Sequence, residues 1–158
     1  LDLHNYLLEN GPGEDLETGH KGVASCRLGY QWIPHVSSNQ KLSQCRIDWV
    51  ELQGMVECTY PTWDPPATAT QETKNKWEDF TIKVRMHEKG HIDIDKKWLN
   101  VLFEELKKIE SKSTCEDIKS EVQKVGEEII KNNSNDNRAY DLETQHGEKQ
   151  GVYLISPN

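Results

Sequence analysis

The spacing of apolar residues changes near residue 61 and divides the chain into a strand-forming part and a helix-forming part. Val23–Ile33, with Tyr30, Trp32 and Ile33, predicts a strand carrying aromatic residues on a pleated face. Ser37–Lys41 reads as a polar turn. In Cys45–Leu52, Cys45, Ile47 and Trp49 alternate with Arg46 and Asp48, the period of a half-buried strand. Gly54 permits a tight reversal, and Met55–Tyr60 can return antiparallel as a hairpin. Proline cannot donate to a ladder, so Pro61, Pro65 and Pro66 end a sheet of about three strands.

Beyond Pro66 the period becomes helical. Thr68 or Thr70 is placed to cap a helix, with Glu72 in its first turn where a carboxylate meets the helix dipole. Trp77, Phe80, Val84, His87 and His91 follow one another in steps of three and four, which is one helix face. A second helix is expected from about Asp95 to Ile109, with Trp98, Val101, Leu102, Leu106 and Ile109 inward. After a break at Ser111–Thr114, a third begins with Thr114 as cap and runs through Ile118, Val122, Val125 and Ile129 to about Lys131. Asn132–Asn137 reads as a polar loop, and Gly151–Ile155 as a last short strand. The N-terminal stretch signals little. Leu3, Leu7 and Leu8 suit one helical turn or a short strand, Asn10-Gly11-Pro12-Gly13 breaks it, and residues 14–20 read as loop. The expected fold is α+β, a small antiparallel sheet over residues 23–60 packed against a helical layer. That layer holds the helix of the Trp77–His91 stripe and a following helical hairpin, all in one domain of residues 1–158 with 1–20 poorly defined.

Composition narrows the function. With 34% hydrophobic and 29% charged residues, no apolar run approaches the roughly 18 needed to cross a bilayer. A net charge of −8 leaves no basic surface for nucleic acid. The four cysteines, Cys26, Cys45, Cys58 and Cys115, contain no C-x-x-C pair and are widely spaced, which suits two disulfides in an oxidising compartment. Three connectivities are open to them. Leu1 stands where a mature chain left by signal-peptide removal, or a trimmed piece, would begin.

The chemistry concentrates at His87-Glu88-Lys89-Gly90-His91, which fits H-E-x-x-H. On a helix, positions i and i+4 lie on one face, so both imidazoles can reach one metal ion while Glu88 faces a water bound there. The two histidines continue the apolar stripe, and buried imidazole nitrogens require partners. A glycine inside a helix costs about 1 kcal/mol relative to alanine, so Gly90 suggests that something approaches the backbone there. A catalytic zinc needs a third protein ligand and one open position. The metzincin continuation is absent, since its glycine and histidine places hold Ile94 and Lys97. Glu104, Glu105 and Glu110 are candidates of the thermolysin kind. Among the remaining histidines (His4, His20, His35, His146), His146 has the best setting, on a loop beside Gly147. His4 and His20 read as solvated.

Taken together, His-Glu-Lys-Gly-His and Tyr140-Asp141-x-x-Thr144-x-His146-Gly147 resemble a bacterial domain family of unknown function, described as secreted zinc-dependent proteases on the strength of H-E-x-x-H. Tyr60-Pro61-Thr62-Trp63 resembles the segment that closes that family's sheet, and Cys45 and Cys115 resemble its cysteine pair. The resemblance covers the chain from about residue 23 and is specific at the two motifs. It implies His146 as third zinc ligand, a disulfide Cys45–Cys115, and a secreted or periplasmic location. Cys26 and Cys58 are additional and are expected to pair with each other.

The leading expectation is a zinc-dependent peptidase acting on a peptide or protein. His87, His91 and His146 hold Zn2+, Glu88 is the general base, and Tyr140 is a candidate oxyanion donor. The alternatives are a non-enzymatic binding module, in which Tyr60 and Trp63 would matter more than Glu88, or a zinc hydrolase of a non-peptide or cell-wall amide bond.

Overall fold

The computed structural model describes Leu7, Gly13–Glu14 and residues 21–153. Its elements are β1 (Gly13–Glu14), β2 (Lys21–Gly22), β3 (Ser25–Asn39), β4 (Gln44–Thr59), α1 (Gln71–Lys107), α2 (Cys115–Thr144) and a 3-10 turn at Glu148–Gln150. β1 pairs antiparallel with β2, Gly13 opposite Gly22, and β3 forms a two-stranded sheet with β4. The fold class is α+β. Leu3 and Leu8 of the expected helical turn or short strand, His4, His20, and the end of the expected strand at Leu154 and Ile155 lie outside the described residues; Gly151–Tyr153 is turn and coil.

Two compact units divide the chain. One comprises the described residues up to Arg27, Glu57–Ile92 and those from Arg138 on; the other comprises Leu28–Val56 and Asp93–Asn137. In the first, Leu7, Phe80 and Val84 are buried among Val23, Tyr60, Trp77 and Val152. The predicted stripe on α1 therefore faces a core, with His87 buried at its end. Tyr60 and Trp63 are half-buried: Arg85 lies over the Tyr60 ring and Trp63 packs on Trp77. In the second unit, Leu102, Leu106, Ile118, Val122 and Ile129 are buried against Trp32, Val36, Ile47 and Leu52 of the sheet. Here helices and sheet pack as expected.

Element boundaries differ from the sequence expectation in three places, each for a physical reason. Gly54 lies inside β4 instead of reversing it. A Cβ there would meet Leu99 Cδ2 at 3.0 Å and Leu28 Cδ1 at 3.3 Å, so the glycine serves close approach to α1. The reversal comes at residues 40–43, where Asn39 Oδ1 accepts from the Lys41 and Leu42 N–H groups. The sheet consequently has two long strands, not three. Second, α1 continues through Asp93 and Asp95 where a new helix is expected to begin, because buried Asp95 accepts from Asn137 Nδ2 at 2.9 Å and is satisfied inside the helix. Third, α2 continues through Asn132–Asn137. Asn133 and Asn137, one turn apart, join a buried network in which Asn133 Nδ2 donates to the Tyr30 hydroxyl and that hydroxyl donates to the Asp95 carbonyl. Buried and satisfied polar residues are compatible with a helix interior. The helical layer is thus two long helices, capped as read: Thr73 N–H donates to Thr70 Oγ1, and Asp117 N–H to Thr114 Oγ1.

Disulfides join Cys26 to Cys58 and Cys45 to Cys115. The second stands beside a backbone bridge between Cys45 and Lys112, which ties the break before α2 to β4. Two disulfides fit an extracellular or periplasmic protein. Among the described residues no helix is long and apolar enough to cross a membrane.

Burial, reinforced by the Asp95 charge and opposed by the Asn133 hydrogen bond, pushes the Tyr30 phenol up from 10.0 to about 12. The folded state therefore holds a proton that the unfolded chain has released between these values. Stability from this group is intact below pH 10 and is lost as the pH rises through about 12. Denaturant midpoints of the wild type should fall across that window, and Tyr30→Phe should flatten the fall. Equal slopes in both proteins would contradict the assignment.

Candidate metal centre

All residues of the centre belong to the first unit. On α1, His87 and His91 lie one turn apart, and their Nε2 atoms are 3.3 Å from each other. The last turn of α2 brings Asp141 to them. Its Oδ1 lies 3.3 Å from His87 Nε2 and 3.1 Å from His91 Nε2. Among the described residues these three form the group whose ligand atoms converge closely enough to hold a metal ion. His87 is buried, and His91 and Asp141 are partly so, so the donors face one another with little competing water.

The end of α2 is shaped to present these atoms. Thr144 is buried; its hydroxyl donates to the Tyr140 carbonyl and accepts from the Gly147 N–H. His146 N–H closes the helix on the Asp141 carbonyl at 2.8 Å, and Gln145, His146 and Gly147 all take positive φ. Gly147 is required twice over. Its φ is +85°, and a Cβ would meet Val152 Cγ2 at 2.7 Å and His87 Cγ at 3.1 Å. Gly147→Ala is therefore expected to destabilise the protein by about 1–3 kcal/mol, read from denaturant unfolding. An unchanged midpoint would show that the turn does not need this conformation.

Tyr140 explains Gly90. A Cβ at Gly90 would overlap the Tyr140 phenol, which therefore approaches the backbone of α1 closely there. The ring stacks on His87, with centroids 5.2 Å apart, and meets His91 edge-on at 5.0 Å. Its hydroxyl reaches the His87 carbonyl at 3.3 Å. The close approach expected at the glycine is thus the approach of a residue from the second motif.

Glu88 is buried. Burial pushes its carboxyl up, while the His91 and His87 charges and the Cys26 backbone N–H pull it down; the net direction is upward. For Asp141 burial also acts upward, but the His87 and His91 imidazoles beside it outweigh that and hold the carboxyl well below the usual carboxylate range. Two acids under the influence of the same imidazoles thus have opposite tendencies, one toward a proton and one toward its charged form.

Of the residues selected from the sequence, His87, Glu88, His91, Tyr140 and His146 gather here. His146 stands beside the converging trio, its Nδ1 3.9 Å from Asp141 Oδ1. His35 is elsewhere, stacked on Trp49. Glu104 and Glu105 pair with Lys107 and Lys108 on the surface of α1. Asp141 is not among the residues selected from the sequence, although the signal is present there: a carboxylate inside the second motif. Residues 1–147 match the family described as bacterial protein of unknown function (DUF922). The chain belongs to this family. The DUF922 match includes both motifs and ends at Gly147. No curated protein and no solved structure matches the chain.

Proposed function

We propose that this DUF922 protein is a zinc-dependent peptidase, secreted or periplasmic, that cleaves peptide or protein substrates. The observation that carries the reading is the convergence of His87 Nε2, His91 Nε2 and Asp141 Oδ1 at separations of 3.1–3.3 Å with Glu88 buried on the same helix. Those separations are close to the edges, about 3.3–3.4 Å, of a tetrahedron with bonds of about 2.0–2.1 Å, and three protein donors leave one position open. The same donor types serve non-haem iron(II); a buried carboxylate adjacent to the first ligand favours hydrolysis instead.

Zinc bound there would act as a Lewis acid toward a scissile carbonyl and toward water. The chain's own groups do the rest. Glu88, with its affinity for protons raised by burial, takes the proton of the attacking water as the carbonyl carbon is attacked, and returns it to the leaving amine as the C–N bond breaks. Asp141, held charged, would offset the charge of a metal bound there. Tyr140 packs His87 in place, and its hydroxyl becomes an oxyanion donor only by leaving the His87 carbonyl. The two disulfides favour an oxidising compartment.

The test is metal analysis of the purified protein followed by digestion of a denatured-protein library. Zinc at one equivalent, and cleavage that a chelator abolishes and added zinc restores, is the expected result. Bound zinc without cleavage would favour the binding module, and iron in place of zinc would overturn the reading.

A further inference from the structure

We infer that Gln150, beyond the residues matched by the family, is a positioning residue that sets the tautomer of His87. The inference rests on the metal-site reading above but has a readout independent of it. Gln150 Oε1 lies 2.9 Å from His87 Nδ1. An amide oxygen only accepts, so this contact places the proton on Nδ1 and leaves Nε2, the atom facing His91 and Asp141, with a free lone pair. The same amide donates through Nε2 to the Tyr140 hydroxyl at 3.0 Å, and that hydroxyl donates to the His87 carbonyl at 3.3 Å. The three residues form a closed ring of hydrogen bonds in which each donor meets an acceptor. Backbone carbonyl and imidazole of His87 are both held, so the imidazole can neither rotate nor exchange tautomers without breaking the ring.

The backbone around Gln150 is built for this. The residue ends a 3-10 turn bracketed by Gly147 and Gly151, both at positive φ. Gln150 N–H donates to the Gly147 carbonyl at 2.9 Å, and Val152 N–H to the same carbonyl at 3.0 Å. Val152 packs into the core cluster with Phe80 and Val84 on the helix that carries His87. A Cβ on Gly151 would meet the Lys83 side chain of α1 at 2.9 Å. The turn is thus pinned against α1 on both sides of Gln150, and the amide reaches His87 from a fixed base. Outer partners of metal-bound histidines orient the ring and fix which nitrogen is free, and removing one typically costs about 10–100-fold in metal affinity.

Two variants and two measurements test it. Zinc affinity is read by competition with a chromophoric chelator. The His87 tautomer is read by nitrogen NMR of the metal-free protein, at a pH where its imidazole is neutral. Gln150→Leu removes both hydrogen bonds and should weaken zinc by about 10–100-fold while shifting His87 from the Nδ1–H toward the Nε2–H form. Gln150→Glu keeps an acceptor for Nδ1–H and should restore both readouts toward wild type. Wild-type affinity and an unchanged tautomer in Gln150→Leu would overturn the inference. So would equal losses in both variants with the tautomer unmoved, which would reduce Gln150 to packing of the turn. If the wild type takes up no zinc, the function proposed above fails, and the tautomer shift alone still decides the role of Gln150.

Discussion

Asp141→Ala is expected to weaken zinc binding beyond the roughly 10–100-fold that loss of an outer partner costs, because it removes a donor instead of a support. The carboxylate oxygen sits within 3.3 Å of both imidazole nitrogens, and the imidazoles beside it keep it ionised. Asp141→Asn separates charge from shape. The amide occupies the same space, but it carries no negative charge to set against the cation's, so it too should bind weakly. His146→Ala should be milder, since its nearer nitrogen stands 3.9 Å from the carboxylate oxygen. Chelator competition on the three variants reads all of this. Retained affinity in Asp141→Ala together with loss in His146→Ala would return the third ligand to His146, as the family resemblance implies.

Glu88→Gln should leave zinc bound and lower kcat by about 10²–10⁴, the usual worth of a positioned general base. The substitution is nearly isosteric, and the amide oxygen can still accept from the Cys26 N–H that now holds the carboxylate. The site should therefore keep its geometry and lose only the proton acceptor. Library digestion by the variant, with zinc content measured on the same preparation, provides the check. Cleavage at the wild-type rate would remove Glu88 from the mechanism, and lost zinc would show that the carboxylate supports the metal site.

Several parts of this molecule are legible in the sequence alone. The steps of three and four from Trp77 to His91 placed both imidazoles on one inward face, and burial of Phe80, Val84 and His87 follows from that pattern. Thr70 and Thr114 cap helices because side-chain oxygens satisfy local N–H groups, an interaction spanning three residues. Gly90 announced a close approach without naming what approaches. Other readings failed where a distant partner reversed a local preference. Gly54 resembles a turn until Leu99 and Leu28 are placed beside it. A new helix is expected from about Asp95 until that residue meets Asn137 from α2, and Asn132–Asn137 resembles a loop until Tyr30 and Asp95 accept hydrogen bonds from it.

The metal centre divides along the same line. Helix geometry alone is enough to pair His87 with His91 and to set Glu88 beside them, since four residues make about one turn. The remaining parts come from chain segments fifty or more residues away. Asp141 converges on the histidines because Thr144 and Gly147 close α2 at one particular turn. Gln150 reaches His87 because Val152 and Gly151 pin the following turn to α1. Such contacts depend on where two helices end relative to one another, a quantity that no local spacing encodes. Local periodicity therefore specifies the donors on one helix, and the packing of distant segments selects which carboxylate joins them and which nitrogen of His87 is left free.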